Sequence, residues 1–188
     1  MDTYCTNPKR ERFNFKGATY HITTRCNNKQ SLITNEADFE KYKLILKQCK
    51  ERLGFLLHNY VPMSNHTHLI IRLEITLDIS KIMHSINRWY ARWYNEHYER
   101  KGHFWEDRFH GKLIKDDSQL LATMRYIDLN PVKAGLCKNP GDWKYSGTNF
   151  YLNGIKDNLI DIPDAYIELG KDQKSRQQAY SKIFPAII

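Results

Sequence analysis

Apolar and polar positions alternate with a period of two over residues 19–24, 55–61 and 66–73, and recur with a helical period over 35–52 and 79–98. In the first helical stretch Phe39, Tyr42, Leu46, Cys49 and Leu53 form one stripe, and Gly54 ends it. In the second, Ile79, Ile82, Met83, Ile86, Tyr90 and Trp93 share a face, and the pattern closes before Gly102. A fourth strand is predicted over 104–114. A last helix opens after Asp116-Asp117-Ser118, carries Leu120, Met124 and Ile127 inward, and stops at Pro131. The order β-α-β-β-α-β-α predicts an α+β, ferredoxin-like antiparallel sheet with helices mainly on one face and the other accessible. Beyond Leu152 the periodicity weakens, with short helical patterns at 163–169 and 175–183. The expected organisation is therefore one domain over 1–150 and a C-terminal extension over 151–188 of unassigned role.

The strand at 66–73 carries the first candidate chemistry. Side chains alternate faces along a strand, so His66, His68 and Arg72 point one way while Leu69, Ile71 and Leu73 point to the core. Two imidazoles on one side of a strand can bind a cation, or face a phosphate. The plain alternative is a pair of surface histidines without a ligand. On the last predicted helix Tyr126 and Asn130 lie one turn apart on a polar ridge. By themselves they read equally well as an amphipathic packing residue and a helix terminator before proline.

Charge narrows the partner class. The 188 residues carry a formal net charge of +8, with a pI near 9.2, which favours an anionic partner, nucleic acid first. A mean hydropathy of -0.67, with no apolar run near the length of a membrane span, argues against a membrane-embedded protein. Cys5, Cys26, Cys49 and Cys137 lack zinc-site spacing and suggest no disulfide framework, so reduced buried thiols are expected. The N-terminal Met1-Asp-Thr-Tyr-Cys has no signal-peptide pattern, which points to the cytoplasm. Lys81, Arg88 and Arg92 form a basic ridge opposite the apolar stripe of their helix, suited to phosphates or simply to solvent. Arg25, Arg108 and Lys112 are further cations expected near the histidine face, and Trp89, Trp93, Trp105 and Trp143 lie among basic residues.

Three blocks in order, His66-Thr67-His68, Gly102-His-Phe-Trp-Glu-Asp-Arg-Phe109 and Met124-Arg-Tyr-Ile-Asp-Leu-Asn-Pro-Val-Lys-Ala-Gly135, resemble the single-tyrosine HUH transposases, and among them the REP-associated tyrosine transposases. The resemblance runs from about Thr19 to Phe150 and implies that His66 and His68 bind a divalent metal ion, Mg²⁺ or Mn²⁺, and that Tyr126 is the nucleophile. Asn130 stands where relatives place a third polar ligand, although many of them carry glutamine there. It also implies single-stranded or hairpin DNA as substrate, a covalent 5′-phosphotyrosine intermediate, and no small-molecule cofactor. A different class remains open on the residues alone: an RRM-like module that binds RNA or hairpin DNA without cutting it. Tyr126 discriminates the two, because a binder has no need of a tyrosine beside a histidine pair.

Overall fold

A computed structural model describes residues 14–74 and 78–184; Cys5 and the N-terminal segment without a signal pattern lie outside them. The elements run β1 (Thr19–Arg25), α1 (Glu36–Leu53), β2 (Phe55–Pro62), β3 (His66–Leu73), α2 (Ile79–His97), β4 (His110–Ile114) and α3 (Asp117–Asp128). The strands form one antiparallel sheet in the order β2-β3-β1-β4, the ferredoxin-like arrangement expected.

Local chemistry sets the boundaries. At the start of α1 the Asn35 side chain accepts from the Asp38 N–H at 3.0 Å and the Asp38 carboxylate accepts from the Asn35 N–H at 3.2 Å, a reciprocal cap. Gly54, at φ 66°, ends the helix in the left-handed region and turns the chain into β2. Tyr42 of α1 reaches Thr67 of β3, hydroxyl to hydroxyl at 3.0 Å, and the Tyr90 hydroxyl of α2 donates to the Asp38 carbonyl at 3.2 Å. Helices α1 and α2 thus cover the face of β3 that carries Thr67, Leu69, Ile71 and Leu73, all buried.

Three expectations change. The fourth strand is shorter than 104–114, because only His110–Ile114 pairs with β1. Phe104 instead packs on Tyr90 and Tyr94, with centroids at 5.2 and 4.7 Å, and the Trp105 indole donates to the Asn87 carbonyl at 2.9 Å. The segment still meets the end of β1, through an antiparallel bridge between Trp105 and Cys26 and the Glu106 N–H donating to the Arg25 carbonyl at 2.9 Å, so the ladder is interrupted only between Glu106 and His110. Pro131 does not end a helix that includes Asn130; α3 stops at Asp128 and the proline begins a further turn, α4 (Asn130–Lys133), where its fixed φ fits. The second sheet face is also less open than expected. Helix α3 lies against β2, and Asn59, His68 and Ile70 are buried there, while the β1–β4 half stays exposed at His110 and Lys112.

The chain then continues through α5 (Thr148–Asn153), α6 (Asp164–Ile167) and α7 (Gln173–Lys182), so the boundary expected at residue 150 falls inside α5. Tyr151, Tyr166 and Tyr180 are buried against one another, with ring centroids 4.7 to 5.6 Å apart. Asp161 covers the free edge of β2: its N–H donates to the Leu57 carbonyl, and its carboxylate accepts from the Leu57 N–H and from Lys50 Nζ at 2.8 and 2.6 Å. Cys26 and Cys49 are buried free thiols, pushed up by burial to about 12 and about 11, whereas Cys137 is only half-buried. Among the described residues, no helix is long and apolar enough to cross a membrane.

Candidate active site

Strand register assembles the site in rows. Arg25 pairs with His66; Thr23 pairs with His68 on one side and His110 on the other; His21 pairs with Ile70 and with Lys112. Directly opposed residues share a sheet face, so three histidines from β1 and β3 gather on the side that α3 approaches. From α3 the Tyr126 ring meets His21 and His68 edge-on, each with centroids 5.9 Å apart. Lys133 of α4 holds its ammonium 5.2 Å from the centre of the Tyr126 ring.

The hydrogen bonds constrain the imidazoles. His66 Nδ1 lies 2.6 Å from Asn65 Oδ1, an atom that can only accept, so the proton sits on Nδ1 and the Nε2 lone pair is left free. His68 Nδ1 lies 3.0 Å from His21 Nε2 and 3.1 Å from Thr23 Oγ1. Its Nε2 is buried with no hydrogen-bond partner among the described residues. The two rings on β3 are nearly perpendicular, with centroids 4.9 Å apart, and His21 stacks on His68 at 5.2 Å.

Burial pushes the pKa of all three down. For His68 the shift is to well below the usual 6.5, with His66, His21 and Arg25 adding to it. His66 is lowered by burial and then by Arg25, and His21 falls to about 4 through burial, then His110 and Lys112. Neutral imidazole is the form that ligates metals. An unpartnered buried nitrogen is costly unless a ligand takes it, and the donor set here, two neutral imidazoles on one strand face, fits a divalent cation. Among the described residues no group of three or more His, Cys, Asp or Glu side chains is arranged to hold a metal ion.

The remaining candidates divide between the two sides of the sheet. Tyr126 is 46% exposed, and Asn130 donates its amide to the Tyr126 carbonyl at 2.8 Å, which leaves Oδ1 as its acceptor. Arg25 and Lys112 are exposed beside His66 and His21. Arg108 is exposed in the loop before β4. Lys81, Arg88 and Arg92 are exposed on α2, behind the sheet, and Arg92 is occupied by Glu96 at 2.7 Å. Sequence reasoning passed over His21 and Lys133. The alternation in 19–24 does mark His21, since it shares the polar face of that strand with Thr23, and Lys133 follows Tyr126 by about two helical turns.

Two residues after Tyr126, buried Asp128 accepts from Asn59 Nδ2 and the Thr148 hydroxyl at 2.8 and 2.7 Å, and from the Tyr180 hydroxyl at 2.6 Å. Burial raises its carboxyl to about 6, against the pull of those three donors. The helix with the exposed tyrosine is thereby tied to β2, α5 and α7.

The family model described as "Transposase IS200 like" matches residues 14–130, a span that contains β1, the histidine strand and Tyr126. The chain belongs to the IS200-like transposase family. Within this family of DNA-processing enzymes, the REP-associated tyrosine transposase of Escherichia coli strain K12 is 27% identical over 137 residues, covering 72% of this chain and 79% of that protein. A solved REP-associated tyrosine transposase bound to a REP hairpin shares the fold, with a TM-score of 0.67 and 22% identity over 82% of this chain and 92% of its own. The resemblance read from the sequence is thus borne out, and so is the α+β fold.

Proposed function

We propose that this transposase is a metal-dependent, single-strand-specific DNA endonuclease and strand transferase that acts in the cytoplasm on hairpin-forming repeats through a covalent 5′-phosphotyrosine. The observation that carries the reading is the contact of the exposed Tyr126 ring with His68, whose buried Nε2 has no partner among the described residues. The solved relative held on a hairpin supports the substrate class.

His66, His68 and Asn130 Oδ1 would hold a divalent ion, Mg²⁺ or Mn²⁺, which when bound supplies charge withdrawal from the phosphate oxygens. The rest belongs to the chain. Arg25 and Lys112, at the two sides of the histidine rows, attract and orient the phosphodiester, with Arg108 at the approach. Lys133, whose ammonium lies 5.2 Å from the centre of the Tyr126 ring, adds a positive charge beside the attacked phosphate. The Tyr126 oxygen attacks phosphorus, an O–P bond forms, the bond from phosphorus to the 3′ oxygen breaks, and that oxygen takes up a proton as the phenol gives one up. One ester replaces another, so rejoining the strand needs no ATP. Exposed bases of a single strand can reach such a sheet-face site more readily than stacked ones.

The test is to incubate labelled hairpin oligonucleotides with the protein and Mn²⁺, then resolve the products on denaturing gels. A protein-linked product that vanishes in Tyr126→Phe is expected. Cleavage without any linked product would overturn the covalent mechanism in favour of hydrolysis, and cleavage unaffected by EDTA would overturn the metal.

A further inference from the structure

We infer that His21 is a positioning residue: it accepts a hydrogen bond from His68 Nδ1–H and so holds His68 as the tautomer whose Nε2 lone pair is free for a cation. The inference rests on the metal reading above and deepens it.

The two histidines of β3 face the same requirement with different neighbours. Asn65 Oδ1 can only accept from His66 Nδ1, so that tautomer is settled by its partner. The neighbours of His68 Nδ1, the Thr23 hydroxyl and His21 Nε2, can each give or take a proton. Were either to donate, the proton of His68 would move to Nε2, where it would be a buried donor with no partner and would occupy the lone pair a cation needs. His21 is the neighbour that packing aims. Its ring stacks on His68 at an interplanar angle of 27° and meets Tyr126 edge-on at 74°, while a threonine hydroxyl is free to rotate. One imidazole from β1 therefore touches the ring of the ligand and the ring of the nucleophile. Metal-binding histidines elsewhere are oriented by a partner on their other nitrogen.

The experiment reads the His68 tautomer by nitrogen-15 NMR of the full chain without metal, and Mn²⁺ affinity by calorimetry, in wild type, His21→Ala, His21→Gln, Thr23→Val and His68→Ala. Wild-type His68 is expected as the Nδ1–H form. His21→Ala should shift it towards Nε2–H and weaken Mn²⁺ binding by roughly 10- to 100-fold. His21→Gln, whose amide oxygen can accept near the lost nitrogen, should restore much of the affinity, and Thr23→Val should leave it near wild type. Unchanged Mn²⁺ affinity in His21→Ala, with binding lost in His68→Ala, overturns the role of His21 and spares the metal reading. Mn²⁺ binding absent from wild type, or insensitive to His68→Ala, removes both. Should the alanine variant fail to fold, a wild-type His68 found as Nε2–H overturns the inference without it.

Discussion

Tyr126 and Asp128 are two residues apart on α3, and their surroundings differ in kind. Asp128 is buried, with no cation among its partners in the described residues, and three donors from β2, α5 and α7 satisfy its two oxygens. Tyr126 is half-exposed, set against imidazole edges and an ammonium, beside a buried nitrogen that no group among the described residues satisfies. A complete polar network fixes a helix; an incomplete one leaves room for a ligand. The same short helix thus has one side that anchors and one that is proposed to react, and the anchor keeps that second side over the histidines.

Exchanging the damage between the two sides should separate them. Tyr126→Phe removes one oxygen from an exposed site, so the covalent adduct should fall below detection on denaturing gels while the melting temperature and hairpin affinity stay at wild-type values. The buried Tyr90 and Tyr94 lie behind the sheet and should not substitute. Asp128→Ala should do the reverse first: it strands three donors, at about 1–3 kcal/mol for each one left unsatisfied, and should cost about 3 kcal/mol or more in urea unfolding. An Asp128→Ala protein as stable as wild type would dissolve the distinction.

Within the reactive side, His66→Ala and His68→Ala should each lower Mn²⁺ affinity and cleavage together, by roughly 10- to 100-fold or more. Asn130→Ala should do less, because its amide already serves the Tyr126 carbonyl and offers a single acceptor. Calorimetry and single-turnover cleavage on the three variants check the ranking. A loss in Asn130→Ala as large as in the histidine variants would make the amide an essential ligand.

The anchor also has a pH signature. Burial raises the folded-state carboxyl of Asp128 from 3.8 to about 6, so the folded chain holds that proton more tightly than the unfolded one. The contribution is fully present below about pH 4 and is lost as the pH rises through about 6. Asp128→Asn is neutral throughout. The melting temperature of wild type relative to this variant should therefore fall between pH 5 and pH 7.5, and a gap that stays constant over that range would show that Asp128 does not titrate there.

Much of the layout of the candidate site was legible in the sequence, because period-two alternation fixes which residues of a strand share a face: His66 and His68 together, Leu69 and Ile71 opposite. The same rule marks His21, which goes unnoticed while β1 is read on its own; strand order and register, set by contacts distant in sequence, are what bring it beside His68. Reading 104–114 as one strand fails between Glu106 and His110, where the chain leaves the ladder after the Trp105 bridge to Cys26 and rejoins β1 only at His110. The anchor was illegible. Its partners Asn59, Thr148 and Tyr180 come from three separated segments, the last in a stretch whose periodicity is weak because single tyrosines, not an apolar stripe, do the packing.

The smallest expected effect concerns the cations in front of the sheet and behind it. Arg25 and Lys112 flank the histidine rows, so replacing both with Gln should flatten the dependence of log K on log salt for a hairpin by about 1.4 to 1.8, the equivalent of two phosphate contacts. Arg88 and Arg92 lie on α2 behind the sheet, and Arg92 is engaged by Glu96 at 2.7 Å with both side chains solvated. An exposed pair of this kind contributes little by itself, yet it occupies a guanidinium that a phosphate would need. Arg88→Gln with Arg92→Gln should therefore change the slope by less than one contact, about 0.7 to 0.9, and leave cleavage at saturating DNA intact. Lys81, at the N-terminal end of the same ridge, should follow that pair. If the rear pair instead flattens the slope as much as the front pair, the hairpin stem wraps round α2, and the division into a reactive front and a solvated back gives way to a DNA path that encircles the sheet.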